Sequence, residues 1–227
     1  MGKLFIVATP IGNLKDITLR ALETLKEVDF ILAEDTRVAK KLLIRYEINK
    51  PVISYHEHSK LEIYEKIFDL LNQDKNLALV SDAGTPLICD PGSKLINFLI
   101  NKNKNIKIIP IPGPSAIAAA LSISDILISE FTFLGYPPHK KARKKFFENI
   151  KSINYWPVVL YESPYRIQKT LLELKNYLGQ SLELIICREL TKLYEEIWRG
   201  NIEEAIQYFN KKNIKGEFVL ILKRLNN

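Results

Sequence analysis

A run of chemically versatile residues, Ser81-Asp82-Ala83-Gly84-Thr85-Pro86, follows the apolar segment Leu77–Val80. Glycine and proline let the backbone turn sharply and approach a ligand closely, while Asp82 and Thr85 offer a carboxylate and a hydroxyl. In an open parallel sheet, a loop of this kind lies at the carboxyl end of a strand, which is where ligands bind. The segment therefore predicts a binding loop, although an ordinary strand-to-helix connection can have the same composition.

Similar polar segments follow other apolar runs of the chain. They combine acids, basic residues, glycine and proline, and they lie at Thr9–Asn13, Glu34–Arg37, Tyr161–Arg166 and Arg188–Glu189. Because the carboxyl ends of parallel strands meet at one edge of a sheet, such segments are expected to converge there. That composition suits a small charged cofactor together with a larger anionic substrate.

Several common chemistries are excluded by the motifs. Neither GxxxxGK(S/T) nor GxGxxG occurs, so the glycines belong neither to a P-loop nor to a dinucleotide fingerprint. His56-Glu57-His58 lacks the helical HExxH spacing of a zinc site, and Cys89 and Cys187 form no CxxC pair. We therefore expect no metal site and no disulfide.

Positive charge is concentrated in one part of the chain. Lys and Arg number 33 against 26 Asp and Glu, which gives a net charge of +7 and a pI near 9.2. The densest cluster consists of Lys140, Lys141, Arg143, Lys144 and Lys145. Such a cluster indicates a polyanionic partner, although a solvated helix face with Phe146, Phe147 and Ile150 as its core stripe gives the same pattern.

The chain has the composition of a soluble protein. Hydrophobic residues make up 47% of it, yet no run of about 18 apolar residues predicts a membrane span. Met1–Ala8 enters a strand pattern at once and lacks the layout of a signal peptide. We therefore expect a cytoplasmic protein with no membrane partner.

Strands alternate with helical patterns in the first half of the chain. The predicted strands are Leu4–Ala8, Phe30–Ala33, Pro51–Ser54, Leu77–Val80 and Ile106–Ile109. Because parallel pairing needs a long crossover between strands, this alternation predicts a parallel α/β sheet. Pro110–Pro114 forbids a helix interior and a central strand, so it marks a boundary between domains 1–111 and 112–227.

The second half repeats the alternation less regularly. Its predicted strands are Phe131–Leu134, Pro157–Tyr161, Leu182–Cys187, Leu193–Arg199 and Phe218–Leu222. Only the short turn Arg188–Lys192 separates two of them, which predicts antiparallel pairing and hence a mixed sheet. Helix starts are predicted at Asp16, at Gly113-Pro114, at Ser163-Pro164 and at a capping box of Asn201 with Glu204, and a helix end at Gly179. The second half of the loop after Val80 is expected to begin a helix.

Six segments of the chain carry a family resemblance. They are Val7–Leu14, Ala33–Arg37, Ser81–Pro86, Pro112–Ala116, Phe133–Tyr136 and Tyr161–Arg166. Through these segments, in order from Lys3 to Leu222, the chain resembles the ribosomal RNA methyltransferases of the tetrapyrrole methylase superfamily. The resemblance implies a two-domain α/β fold, with a mostly parallel N-terminal sheet and a mixed C-terminal sheet with flanking helices. It also implies a homodimer that binds S-adenosylmethionine in a cleft between the domains.

The reaction that the resemblance implies is 2'-O-methylation of a cytidine in the decoding region of 16S rRNA, within the small ribosomal subunit. The resemblance also assigns cofactor contacts in the first domain to Thr9, Pro10, Asp82, Gly84, Thr85, Pro114, Ser115 and Ala116. It assigns the adenosyl part to Tyr161, Cys187, Gly216 and Glu217. Lysine and arginine supply most of the salt-dependent affinity for nucleic acid. The expected phosphate contacts are therefore Arg37, Lys40, Lys140, Lys141, Arg143, Lys144, Lys145, Arg166 and Arg188.

Removal of the hydroxyl proton needs a base, and four acids remain open for that role. They are Glu34, Asp35, Glu162 and Asp82, each of which is equally suited to anchor a loop or pair with an arginine. Tyr136 is a candidate for stacking on an extruded base or for the core.

Two other functions remain open, a methylase of small tetrapyrrole-like molecules and a non-catalytic RNA-binding module. Many longer relatives continue past Gly216–Leu220 into a basic domain, whereas this chain stops at Asn227. We therefore expect dimerisation and the Lys140–Lys145 helix to supply that RNA affinity.

Overall fold

The computed structural model describes residues 1–56, 59–210 and 214–223. The chain divides into two compact units, the first ending at Ser115 and the second beginning at Ala116. Each unit is a five-stranded sheet covered by helices. Within the described ranges, no helix is long and apolar enough to cross a membrane.

The first unit is a wholly parallel sheet. Its strands are β1 (Lys3–Val7), β2 (Phe30–Ala33), β3 (Val52–Ser54), β4 (Leu77–Val80) and β5 (Lys107–Ile111), in the order β3-β2-β4-β1-β5. Its helices are α1 (Leu19–Glu27), α2 (Thr36–Arg45), α3 (Leu61–Asn72) and α4 (Ser93–Lys102). Every residue of β4 is buried, as expected for a central strand covered on both faces.

The helices of the first unit pack on opposite faces of its sheet. Leu25 of α1 and Leu42 of α2 share one core with Val7, while Leu71 of α3 and Leu99 of α4 share the other. The parallel sheet with helices on both faces confirms the predicted α/β class of this half of the chain.

The second unit contains the predicted mixed sheet. Its strands are β6 (Thr132–Gly135), β7 (Val158–Glu162), β8 (Glu183–Arg188), β9 (Glu196–Asn201) and β10 (Phe218–Lys223), in the order β6-β7-β10-β8-β9. Among the described strands of this sheet, only β6 and β7 pair in parallel. Its helices are α5 (Ala116–Ser122), α6 (Ala142–Ile150), α7 (Ile167–Leu178) and α8 (Ile202–Tyr208). The last three cover one face, and α5 contributes Ala120 to the core on the other.

Several predicted element boundaries are wrong, each for a local reason. Asp16 ends a short 3₁₀ helix, and the hydroxyl of Thr18 caps α1 instead. Pro110 lies inside β5, which is an edge strand and therefore tolerates a residue without an N–H.

Other helices and strands start later than predicted. Helix α5 begins at Ala116, α7 at Ile167 and α4 at Ser93. Pro114, Ser163-Pro164 and the loop before Gly92 are therefore not helical. Strand β9 begins at Glu196. The capping box of Asn201 with Glu204 and the helix end at Gly179 are confirmed.

Candidate active site

The carboxyl ends of β1 and β4 are neighbours in the first sheet, and the chain leaves them in opposite directions. After β1 it continues to α1 on one face, and after β4 to α4 on the other. Such a reversal between adjacent strands is the topological switch point at which open α/β sheets bind ligands. The predicted binding loop after Val80 therefore lies at the place where the sheet leaves a crevice.

Reciprocal hydrogen bonds join the two strand ends at this switch point. The N–H of Thr9 donates to the carbonyl of Gly84 at 2.9 Å, and the N–H of Gly84 donates to the carbonyl of Thr9 at 3.0 Å. The hydroxyl of Thr9 also donates to the carbonyl of Ser81 at 3.2 Å. Thr85 extends the junction to a third segment by donating its hydroxyl to the carbonyl of Pro114 at 3.1 Å. Three distant parts of the sequence are thus fixed together.

Gly84 is the residue on which this junction depends. Its φ of +79° lies in the left-handed region, where side chains are rarely accommodated. A Cβ added there would lie 3.3 Å from Cγ2 of Ile11 and 3.7 Å from the carbonyl oxygen of Pro114. Glycine is therefore needed both for the turn and for the close approach of the two segments.

A line of acids extends from this junction toward β2. A carboxylate oxygen of Asp82, which is exposed, accepts a hydrogen bond from the N–H of Asp35 at 3.1 Å. Asp35 caps α2 by accepting the N–H of Arg37, and it pairs with that guanidinium at 2.6 Å. Glu34 is exposed and lines a cavity of about 340 Å³ at the same sheet edge, together with Tyr55 and residues 89–94.

In the second unit, three neighbouring strands place predicted cofactor residues side by side. Val219 of β10 pairs with Tyr161 of β7 on one side and with Cys187 of β8 on the other. These residues belong to the face that packs against α5. The ring of Tyr161 is 4.9 Å from that of Phe133 and 5.5 Å from that of Tyr136.

Gly216 and Glu217 immediately precede β10, at the sheet edge where β7 and β8 end. The N–H of Glu217 donates to the carboxylate of Glu189 at 3.0 Å, and the Glu217 carboxylate pairs with Lys192 at 2.8 Å. Gly216 has a φ of +99°, and a Cβ there would lie 2.3 Å from Cγ of Glu189. Glu189, which was predicted only as part of the polar segment Arg188–Glu189, is the anchor of this turn.

The family model for the tetrapyrrole (corrin/porphyrin) methylases matches residues 3–206. The chain belongs to the tetrapyrrole methylase family. It is 44% identical over 222 residues to the ribosomal RNA small subunit methyltransferase I of Thermotoga maritima, covering 98% of both chains. It is 45% identical over 228 residues to the protein of the same name from Bacillus subtilis, covering 100% of this chain and 77% of that one.

Solved structures of tetrapyrrole methylases share the fold of this one. A cobalt precorrin-4 methyltransferase superposes with a TM-score of 0.69 at 18% identity, covering 96% of this chain and 94% of that chain. A uroporphyrin-III C-methyltransferase from Thermus thermophilus, complexed with S-adenyl homocysteine, superposes with a TM-score of 0.65 at 16% identity, covering 96% and 97%. The expected two-sheet methylase fold is confirmed.

The basic cluster of this methylase divides into exposed and buried members. The side chains of Lys140, Lys141, Lys144 and Lys145 are exposed. Arg143 is only 4% exposed, and its guanidinium donates to Glu173 at 2.7 Å and to Thr170 at 2.6 Å. The prediction that Arg143 contacts RNA phosphates is therefore wrong. Arg143 precedes Phe147 and Ile150 by four and seven residues, so it lies on the core face of α6.

The remaining predicted phosphate contacts are engaged to different degrees. Arg37 is 86% exposed at its side chain although it pairs with Asp35, and Lys40 is exposed. Arg166 pairs with Glu162, and Arg188 donates to the carbonyl of Lys215 and pairs with Glu196. The two latter arginines therefore already neutralise acids of the protein.

Two of the predicted bases are unsuited to proton removal. Glu162 is fully buried and is held by Arg166, Thr170 and the N–H of Ser163. The hydrogen bond from the Arg37 side chain lowers the pKa of Asp35 to about 2. A carboxylate with so low a pKa accepts protons poorly, and a fully buried one cannot reach a substrate hydroxyl. Of the four candidate bases, Glu34 and Asp82 are exposed.

The proposed cofactor residue Cys187 is 1% exposed, and burial raises the pKa of its thiol to about 11. Cys89 is exposed. We therefore expect Ellman's reagent at pH 8 to modify one thiol per folded chain and two after unfolding in guanidinium, because only the thiolate reacts. A Cys89→Ser variant should lose the fast reaction, and rapid modification of both thiols in the native protein would contradict the burial of Cys187.

No group of three or more metal-binding side chains is present within the described residues. Of the segment His56-Glu57-His58, only His56 lies among them, since Glu57 and His58 fall outside the described residues.

Proposed function

We propose that this methylase transfers the methyl group of S-adenosylmethionine to the 2'-hydroxyl of a cytidine in the decoding region of 16S rRNA. The observation that carries the proposal is the 44% identity, over 98% of both chains, to a relative named ribosomal RNA small subunit methyltransferase I. The exposed lysines of α6 and of the segment before it support a polyanionic substrate.

The switch point of the first unit fits this cofactor. S-adenosylmethionine is a compact zwitterion with a further positive charge, and it supplies a methyl group bound to a sulfonium. The exposed carboxylate of Asp82 complements that charge, and the backbone at Gly84 leaves a space that a Cβ would fill. Pro10, Thr85, Pro114, Ser115 and Ala116 would then contact the cofactor, and Tyr161, Gly216 and Glu217 its adenosyl part. Thr9 and Cys187, which are 3% and 1% exposed, would support these contacts from beneath.

The residues of the protein have two tasks in this reaction, to align the ribose hydroxyl and to accept its proton. Alignment accounts for much of the rate of such a displacement. Of the four candidate bases that could accept the proton, Glu34 and Asp82 are exposed. Glu34 also lines a cavity large enough for a ligand.

The exposed lysines are expected to bind RNA phosphates. Replacing Lys140, Lys141, Lys144 and Lys145 by glutamine should weaken binding to small-subunit RNA and reduce the slope of log affinity against log salt by roughly 3, since each phosphate contact contributes about 0.7–0.9. Gel-shift titrations at several salt concentrations measure both quantities.

A matched control also removes four positive charges, but from the first unit, at the sheet edge where its strands begin. Lys3 and Lys107 begin strands there, and Lys26 and Lys104 lie in the adjoining helix end and loop; all four are exposed. Their replacement by glutamine should leave the salt slope nearly unchanged. Equal losses in the two variants would contradict a specific role of α6.

We also infer that the protein acts in the cytoplasm as a homodimer. Large apolar side chains are exposed, with Leu127 at 100%, Leu193 at 88% and Tyr194 at 72%. Leu193 and Tyr194 are adjacent in the chain, and exposed apolar side chains that lie together mark surfaces that another protein covers. Light scattering of the purified protein tests the dimer, and a monomer at micromolar concentration would contradict it.

A further inference from the structure

The carboxylate of Glu162 stands at the end of β7 and is completely buried. One oxygen accepts the N–H of Ser163 at 2.8 Å and pairs with Nη2 of Arg166 at 2.8 Å. The other accepts the hydroxyl of Thr170 at 2.5 Å. Because every contact is internal, whatever Glu162 does for the reaction must be exerted through these partners.

Two arginines, one within α6 and one immediately before α7, share this carboxylate. Arg166 pairs with it directly, whereas Arg143 lies 3.9 Å away and is joined to it by the hydroxyl of Thr170, which accepts from Arg143 at 2.6 Å. Arg143 has a second acid, Glu173, at 2.7 Å. The buried charges are therefore paired and hydrogen-bonded, as buried charges must be.

Both guanidiniums also hold the same short segment of backbone. Nη1 of Arg166 donates to the carbonyl of Pro137 at 2.8 Å, and Nη1 of Arg143 donates to the carbonyl of Pro138 at 3.1 Å. The two prolines have no N–H with which to bond a neighbouring element. Their carbonyls are therefore the only backbone groups through which they can bond, and both accept from the two arginines.

The segment held in this way carries an exposed ring and positive charge. The β6 register shifts before Gly135, whose φ is +65°, and such bulges redirect the chain that follows. Tyr136 is 46% exposed, and the guanidinium of Arg166 lies 6.0 Å from its ring centre. Lys140 and Lys141 follow and are exposed.

We propose that Glu162, Thr170, Arg166 and Arg143 are positioning residues that fix Tyr136 as a stacking platform for an unpaired base of the RNA substrate. The adjoining lysines bind the phosphates that flank this base. Proteins bind unpaired nucleotides by stacking the bases on aromatic rings or arginine planes and by pairing basic side chains with the phosphates. The proposal rests on the proposed function, because it assigns the RNA contact of the same enzyme.

Two variants and a control test the positioning. Glu162→Gln removes the shared negative charge. Arg166→Lys keeps a positive charge beside Glu162 but loses the planar guanidinium that also reaches the carbonyl of Pro137. The second variant therefore tests the positioning role even if Glu162→Gln does not fold. Arg199→Lys is the control, because Arg199 donates to the carbonyl of Ile123 at 2.7 Å elsewhere in the unit.

The first measurement is hydrogen exchange, without RNA, of the amide of Arg143, which donates to the carbonyl of Lys140 at 2.8 Å and so reports on the end of this segment. Exchange should be at least about tenfold faster in the two variants and unchanged in Arg199→Lys. Unchanged protection in Arg166→Lys would overturn the positioning role.

The second measurement is methyl transfer to small subunits. Glu162→Gln, Arg166→Lys and Tyr136→Ala should raise KM for the subunit roughly tenfold, leave kcat within about twofold and keep the shape of the pH profile, while Tyr136→Phe retains normal KM. A lower kcat with a lost limb of the pH profile in Glu162→Gln would make Glu162 a base and overturn the proposal. Unchanged KM in Tyr136→Ala would overturn the platform. A wild-type enzyme inactive on subunits contradicts the proposed function itself, and this is known before any variant is compared.

Discussion

A Gly84→Val variant is expected to bind S-adenosylmethionine at least about 100-fold more weakly and to lose methyl transfer in proportion. Valine strongly disfavours the φ of +79° at this position, and its Cβ would lie 3.3 Å from Ile11. The loop would have to move away from Thr9, which removes cofactor contacts, and a misplacement of about 1 Å alone can cost about 100-fold in rate. Isothermal titration with the cofactor and kcat/KM with small subunits measure the two effects.

Gly179→Val is the matched control for this prediction. Gly179 has a comparable φ of +94°, but no atom lies within 4 Å of a Cβ added there. The control therefore carries the same backbone strain at a distant helix end, and it should reduce stability while leaving cofactor affinity unchanged. Wild-type affinity in Gly84→Val would show that the junction between Thr9 and Gly84 does not form the cofactor site.

An Arg143→Leu variant is expected to lower the free energy of unfolding of the second unit by about 3–5 kcal/mol, the typical cost of removing one partner from a buried ion pair. The change leaves the hydroxyl of Thr170 and the carboxylate of Glu173 without their guanidinium. Both tryptophans of the chain, Trp156 and Trp198, pack against the core of this unit. Urea unfolding followed by tryptophan fluorescence therefore reports on the unit in which the change is made.

The adjacent residue provides the comparison. Lys144 is 75% exposed at its side chain, and Lys144→Leu should change stability by no more than about 0.5 kcal/mol. If the two variants were equally stable, Arg143 would not have the structural role that its contacts assign to it.

The contrast between these neighbours shows what the sequence could and could not predict. Charge alone placed Arg143 and Lys144 in one phosphate-binding cluster. The helical spacing of Arg143 to Phe147 and Ile150 contained the opposite signal, since it places Arg143 on the core face. The partners that make its burial possible, Thr170 and Glu173, lie on another helix, and no local pattern reveals them.

The strands and the polar segments at their ends were predictable, but their order was not. Apolar runs and turn residues located all five strands of each sheet to within a few residues. The adjacency of β1 and β4, which creates the switch point between Thr9 and Gly84, depends on tertiary packing that no single segment encodes. Boundaries failed where two residues competed for one cap, as with Asp16 and Thr18.

The most direct test of the proposed function is transfer of tritium from methyl-labelled S-adenosylmethionine to small subunits from a strain that lacks the enzyme, followed by mapping of the labelled nucleotide. Tetrapyrroles and free RNA serve as parallel substrates. We predict that the label appears at a single cytidine of the decoding region, in an alkali-resistant linkage diagnostic of a 2'-O-methyl group. Label on a base or on a tetrapyrrole, or no label with cofactor binding intact, would contradict the account.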